Sequence, residues 1–148
     1  MKILILVIIL IVAGGVYYWS SQKSEPLTSP QLAGSLSPLL IFNQADYEQA
    51  LSSNKLIILY FYANWCPLCK EELPYLYGAF NELASDQVIG FRVHYNDNET
   101  GEAEEALARE YGVAYQHTKV FIKNGERILK APESWDKDRY LTEINKFL

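Results

Sequence analysis

The residues of this chain that could most readily do chemistry are two cysteines separated by two other residues. Cys66 and Cys69 are the two cysteines of a 148-residue sequence. Small secreted folds build a disulfide framework from four or more cysteines, and a tetrahedral zinc site needs four ligands. Two thiols suffice for thiol–disulfide exchange, but a C-x-x-C pair taken alone could also be an inert structural disulfide or half of a metal site. The surrounding elements favour exchange.

The elements around the pair predict a helix that begins at the first cysteine. Residues 56–62 are a nearly continuous apolar run, typical of a central strand buried on both faces. Pro67 suits the first turn of a following helix, whose amino end stabilises a thiolate at Cys66. The spacing of the pair puts Cys69 one turn along on the same face. We predict Cys66 as the exposed nucleophile and Cys69 as the more buried thiol that resolves the mixed disulfide.

The rest of the globular sequence predicts an α/β domain. Strands are predicted at 39–42, 56–62, 88–95, 119–123 and 126–130, and helices at 43–53, 67–84, 102–111 and 134–147. Asn124-Gly125 is the strongest two-residue hairpin signal. Early strand–helix–strand units followed by a late hairpin indicate a mixed central sheet with helices on both faces.

The N-terminus predicts a membrane segment. Residues 3–19 carry no charge, follow Lys2 and end in aromatic residues, as expected of a helix that ends at the bilayer interface. We predict a transmembrane signal-anchor over residues 1–19, single-pass, with the C-terminal domain extracytoplasmic. A cleaved signal peptide with small residues at 13–15 is the alternative. Under both interpretations the domain is predicted to be exported.

The composition of residues 20–38 and the net charge indicate how the chain is organised and which partners it can have. Residues 20–38 are rich in Ser, Pro, Gln and Gly and contain three prolines, which predicts a flexible linker ahead of a domain over residues 39–148. The formal net charge is −5 and there is no Lys/Arg run. No nucleic-acid partner is therefore expected.

Residues 39–148 resemble thioredoxins and their membrane-anchored, extracytoplasmic relatives. The matching segments are ILYFYANWCPLCK at 58–70, Pro74, YGV at 111–113 and KNGE at 123–126. The resemblance implies the thioredoxin fold and a redox-active Cys66–Cys69 disulfide, with no other cofactor and no metal. It also implies that Trp65 borders the site.

The sequence departs from the family at two positions. His117 stands where thioredoxins carry a cis-proline, and a non-proline cis bond costs about 3–4 kcal/mol, so we predict a trans bond there. Tyr60 stands where thioredoxins carry a buried aspartate, so we predict that the site lacks a buried base. One hypothesis makes the His117 imidazole an acid or base beside Cys66, and the other makes it a tolerated loop residue.

These observations predict a thiol–disulfide oxidoreductase, more specifically a reductase. Its expected partners are disulfide-containing exported proteins, an electron donor in or outside the membrane, and the membrane itself through the N-terminal helix. One alternative is a metal-binding module that uses Cys66, Cys69 and His117. The other is a redox-silent scaffold with the same fold.

Overall fold

The structure, a computed structural model, describes residues 26–148. The described chain forms the strands β1 Gln31–Ala33, β2 Leu39–Ile41, β3 Leu56–Tyr62, β4 Val88–His94, β5 Thr118–Lys123 and β6 Glu126–Ala131. It forms the helices α1 Gln44–Leu51, α2 Pro67–Glu82, α3 Glu102–Glu110 and α4 Lys137–Asn145. The predicted order of strands and helices is confirmed, and β1 is an additional strand.

The strands form one mixed sheet in the order β1-β2-β4-β3-β5-β6. β3 is parallel to β4 and antiparallel to β5, and β5 is antiparallel to β6. The turn between β5 and β6 has positive φ at both central residues, 53° at Asn124 and 76° at Gly125. Positive φ at both positions is the requirement of the predicted two-residue hairpin. The predicted hairpin is therefore confirmed.

β3 is the most buried strand, and all seven of its residues are buried. Successive side chains of a strand point to opposite faces of the sheet. Leu56, Ile58 and Tyr60 accordingly pack in the core on the side of α2 and α4. Ile57 and Leu59 pack in the second core, on the side of α1 and α3. Burial on both faces explains why this strand reads as an unbroken apolar run.

The sheet brings two distant parts of the sequence to one end of β3. Phe61 near the end of β3 pairs with Thr118 at the start of the antiparallel strand β5. The chain leaves β3 at Tyr62 and reaches Cys66 at the start of α2, whereas His117 directly precedes β5. The cysteine pair and His117 therefore meet at this end of the sheet.

The segment before β2 belongs to the domain, which corrects part of the predicted linker over residues 20–38. β1 pairs antiparallel with β2. Before β1, the backbone N–H groups of Thr28 and Ser29 donate to the Asp46 carboxylate at 3.1 and 2.7 Å. Burial alone would raise the pKa of Asp46, but hydrogen bonds from Ser29 and Thr28 outweigh it and lower that pKa. The hydroxyls of both residues also donate to this carboxylate. The linker composition did not reveal this docking because the partner carboxylate lies 17 and 18 residues further along the chain.

The predicted membrane anchor at residues 1–19 and the first part of the linker lie outside the described residues. Between residues 26 and 148, every helix is too short or insufficiently apolar to cross a membrane.

Candidate active site

Cys66 is the N-cap residue of α2. Its backbone is extended, with φ −77° and ψ 115°, and its Sγ accepts a hydrogen bond from the backbone N–H of Cys69 at 3.2 Å. Pro67 follows in the first turn, where no intrahelical bond needs its missing N–H. The predicted placement of the first cysteine at the amino end of a helix is confirmed. The helix dipole favours negative charge on the sulfur at this position.

Both cysteines are buried, which corrects the prediction that Cys66 is exposed. Cys66 is 2% exposed and Cys69 is 0% exposed, and both are free thiols. Cys66 turns inward because its sulfur caps the first turn of α2. Two flanking apolar side chains do face solvent, Trp65 at 52% and Leu68 at 47% exposure.

Burial raises the pKa of the Cys69 thiol to about 12, and a hydrogen bond with Cys66 acts in the same direction. Backbone hydrogen bonds from Ala63 and His117 oppose this rise. An ordinary thiol has a pKa of about 8.5, so between these two values the unfolded chain loses a proton that the folded, reduced protein retains. The stabilising contribution of this thiol is therefore complete below about pH 8.5 and is lost as the pH rises toward the folded value.

For the reduced protein, we expect the free energy of unfolding to fall above about pH 8.5 by about 1.4 kcal/mol per pH unit from this group. Urea unfolding of the reduced and oxidised forms between about pH 7 and 11 measures the effect. The oxidised form is the control because it has no thiol at Cys69. Equal slopes for the two forms would contradict the prediction.

The loop after β4 holds the cysteine-bearing segment in place. The indole N–H of Trp65 donates to the carbonyl of Asn96 at 2.8 Å, and the backbone N–H of Asn64 donates to Asp97 Oδ2 at 2.9 Å. His94 Nδ1 lies 2.9 Å from the same oxygen of Asp97. Burial alone would raise the pKa of Asp97, but hydrogen bonds from His94 and Asn64 outweigh it and lower that pKa. The sequence pattern did not predict this support; its signal is the turn-forming Asn-Asp-Asn run.

His117 contacts the cysteine pair through its backbone. All peptide bonds between residues 26 and 148 are trans, which confirms the prediction for this position, and His117 has a φ of 53°. Its backbone forms a hydrogen bond with Cys69. Its ring centroid lies 5.7 Å from that of Tyr115, and its buried Nδ1 has no hydrogen-bond partner among the described residues. An acid–base role for the imidazole toward Cys66 stays a prediction.

Restoring the family's proline at position 117 is expected to destabilise the protein. Proline fixes φ near −65°, whereas His117 has a φ of 53°, so His117→Pro should cost about 3 kcal/mol or more. His117→Gly is the matched variant, because glycine adopts positive φ without strain and should stabilise the fold by up to about 1 kcal/mol. Urea unfolding of both variants measures these changes. A proline variant at least as stable as the parent would contradict this expectation.

A buried carboxylate lies beside the pair, which corrects the prediction that the site lacks one. Glu72 is 2% exposed and accepts a hydrogen bond from the Tyr60 hydroxyl at 3.2 Å. The prediction rested on the absence of an aspartate at Tyr60 in the strand, whereas the carboxylate comes from α2. The available sequence signal was a glutamate three residues after Cys69, on the same face of the helix.

The alternative metal site does not form in the described part of the chain. Between residues 26 and 148, no three His, Cys, Asp or Glu side chains are grouped so that they could hold a metal ion. Cys66, Cys69 and His117 therefore do not make a ligand set.

The central strand of the mixed sheet is followed by a helix, and the two thiols lie at the amino end of that helix. This arrangement defines a dithiol-exchange site on an α/β fold. The chain belongs to the thioredoxin family, whose model, described as Thioredoxin, matches residues 38–146. The family and the cysteine pair together support the predicted class of thiol–disulfide oxidoreductase.

Known relatives agree with this assignment. Thioredoxin H4 of Arabidopsis thaliana is 37% identical over 86 residues, covering 56% of this chain and 64% of that protein. Protein disulfide-isomerase of Gallus gallus is 29% identical over 110 residues, covering 74% of this chain and 20% of that protein. The chain thus spans less than two thirds of either relative. The thioredoxin structure from Schistosoma mansoni has a TM-score of 0.61 at 27% identity, covering 78% of this chain and 100% of that one.

Proposed function

We propose that the protein reduces disulfides of exported proteins, with Cys66 as the nucleophile and Cys69 as the resolving thiol. The hydrogen bond from the Cys69 N–H to Cys66 Sγ carries this assignment. It identifies the sulfur on which the amino end of α2 stabilises negative charge. Cys69 is fully buried and its thiol has a raised pKa, which suits a group that reacts second.

The proposed reaction transfers two electrons from the dithiol to a substrate disulfide. The Cys66 thiolate attacks one substrate sulfur, forms a mixed disulfide and releases the other substrate sulfur as a thiolate. Cys69 then loses its proton and attacks Cys66. The bond between Cys66 and the substrate breaks, the second substrate thiolate leaves, and a Cys66–Cys69 disulfide remains.

Exposed apolar side chains next to the site support a protein substrate. Trp65, Leu68 and Tyr115 are 52%, 47% and 47% exposed. Apolar and aromatic surface of this kind is enriched where proteins bind other chains. The likeness to thioredoxins supports reduction over oxidation, and a membrane or extracytoplasmic dithiol donor would then regenerate the reduced pair.

The reduction potential of the Cys66–Cys69 couple tests the direction of the reaction. A value near about −270 mV is expected for a reductant, and a value near about −120 mV would instead make the protein an oxidant. Insulin reduction with dithiothreitol tests activity in the same preparation. A redox-silent scaffold would give no acceleration in that assay.

The extracytoplasmic location is supported by the uncharged residues 3–19 that follow Lys2. A membrane-impermeant maleimide applied to intact cells that express the full chain tests it. Labelling of the reduced protein before lysis is expected. Labelling only after lysis would place the domain in the cytoplasm and overturn this part of the proposal.

A further inference from the structure

The described chain enters the domain at the same end of the sheet as the cysteine pair. Strands β2, β4 and β3 are parallel, so their carboxyl ends all lie at the end of the sheet where β3 leads to Cys66. We call this end the active-site end. Because β1 is antiparallel to β2, β1 begins there. The register agrees, since the backbone N–H of Ile41 at the carboxyl end of β2 donates to the carbonyl of Pro30 at 2.9 Å.

The residues before Pro30 are held at the active-site end by the start of α1. The side-chain amide of Asn43, the N-cap residue of α1, donates to the hydroxyl oxygens of Thr28 at 3.2 Å and Ser29 at 2.8 Å. The backbone N–H groups of both residues donate to Asp46, which is buried. The chain that precedes residue 28 therefore leaves the domain beside the active-site end.

This docking leaves a short connection to the predicted membrane anchor. The anchor is predicted over residues 1–19, and residues 20–25 separate it from the first described residue. Even fully extended, the chain from residue 19 to residue 26 spans at most about 25 Å. A domain of this size has a radius of gyration of about 14 Å and hence a diameter of about 35 Å. The connection is shorter than the domain is wide, so the end to which it attaches is held nearest the bilayer.

Cys66 lies close to this attachment. β2 and β4 separate β1 from β3, and neighbouring strands are about 4.8 Å apart, so β1 and β3 lie about 14 Å apart across the sheet. The β5–β6 hairpin lies at the opposite end, because Ile57 at the start of β3 pairs with Ile122 near the end of β5. The seven residues of β3 put that end about 23 Å further from the attachment.

The active-site end exposes a surface that suits a protein rather than a lipid bilayer. Its exposed apolar side chains are Leu27, Trp65, Leu68 and Tyr115. Such side chains are enriched where proteins bind other chains. Glu99 and Glu102 are exposed after the carboxyl end of β4, and anionic lipid headgroups would repel them.

We propose that the active-site end faces the bilayer and that the substrates are disulfides of proteins held in the same membrane. The proposal rests on the proposed function, whose two-step reaction it keeps, and on the predicted anchor at residues 1–19. The connection and the width of the sheet keep Cys66 within about 40 Å of the bilayer surface. A disulfide confined to the same layer meets Cys66 at a raised effective concentration, whereas a soluble exported protein does not.

Energy transfer from the protein to labelled lipids tests the orientation. In full-length protein with Cys66→Ser and Cys69→Ser, a fluorophore is attached through Leu68→Cys at the active-site end or through Asp86→Cys at the opposite end, ahead of β4. Leu68 and Asp86 are both exposed. In vesicles with an acceptor dye on the headgroups, transfer should be at least about twofold more efficient from position 68. Equal transfer, or stronger transfer from position 86, would overturn the orientation.

A pyridyl disulfide carried on a lipid headgroup tests the substrate class with the cysteine pair intact. Attack by Cys66 on the lipid sulfur releases pyridine-2-thione, and Cys69 then attacks Cys66 and releases the lipid thiol. A flexible spacer of about 20 Gly and Ser residues after residue 25 should slow the release of pyridine-2-thione by at least about threefold. The matched reaction uses a water-soluble pyridyl disulfide, for which the rate should stay within about twofold of the parent.

An equal effect of the spacer on both disulfides would overturn the proposed substrate class. Full-length protein that does not float with the vesicles would overturn the predicted anchor and the proposal with it. Neither result would count against the dithiol chemistry of the proposed function. That chemistry fails instead if the parent protein gives no acceleration of insulin reduction.

Discussion

Serine in place of Cys66 is expected to lower the turnover of a disulfide substrate to the uncatalysed rate, a loss on the order of 10³-fold or more. A serine hydroxyl is a good N-cap, so α2 should still begin at position 66. The hydroxyl stays protonated at neutral pH and is a weak nucleophile when no base activates it. Initial rates of insulin reduction measure the loss, and urea unfolding checks that the fold is retained.

Serine in place of Cys69 is the matched variant and should give a different failure. Cys66 can still attack a substrate disulfide, but no second thiol resolves the product. We expect a stable covalent adduct, visible by mass spectrometry without reductant, in Cys69→Ser and none in Cys66→Ser. The opposite distribution of adducts would reverse the roles proposed for the two cysteines.

The second large effect concerns the buried ion pair. Glu72→Leu is expected to lower the free energy of unfolding by about 3–5 kcal/mol, because it leaves the ammonium of Lys119 buried without its counterion. Lys119 is 0% exposed, and its remaining acceptors are the backbone carbonyls of His117 and Glu133. Burial already lowers the pKa of Lys119 even while the carboxylate opposes that shift. Urea unfolding of the oxidised proteins measures the difference without a contribution from free thiols.

Lys119→Met should cost less than Glu72→Leu. The carboxylate would keep hydrogen bonds from the Tyr60 and Tyr140 hydroxyls and from the Trp135 backbone N–H. The double variant should recover part of the loss, because it leaves neither charge unpaired. Additive losses would show that the two charges do not stabilise each other in the folded protein.

Several features of this protein follow from short stretches of sequence. The unbroken apolar run of β3 predicted a strand buried on both faces, because each face meets its own core. Asn124-Gly125 predicted the hairpin because these residues tolerate the positive φ that the turn requires. The placement of Cys66 at the start of α2 followed from the adjacent strand and from Pro67. Each of these depends on neighbours within a few residues.

The tertiary structure decided the features that depend on residues far apart in the chain. In the sequence, Lys119 is a charged residue within a predicted strand, with no local sign of a partner. Only the packing of β5 against α2 and β3 shows that it pairs with Glu72 in the core. Thr28 and Ser29 dock on Asp46 through backbone N–H groups and hydroxyls, and this carboxylate lies 17 and 18 residues away, so composition could not reveal the contact.

The sequence by itself therefore determined the cysteine motif, its helix and the order of the elements. These features could be predicted because hydrophobic periodicity and turn residues depend on consecutive positions in the chain. The buried surroundings of the sulfurs and the carboxylate beside Cys69 were decided by packing. A side chain's charge, burial and partners depend on which distant segments fold against it, and no window of sequence contains that information.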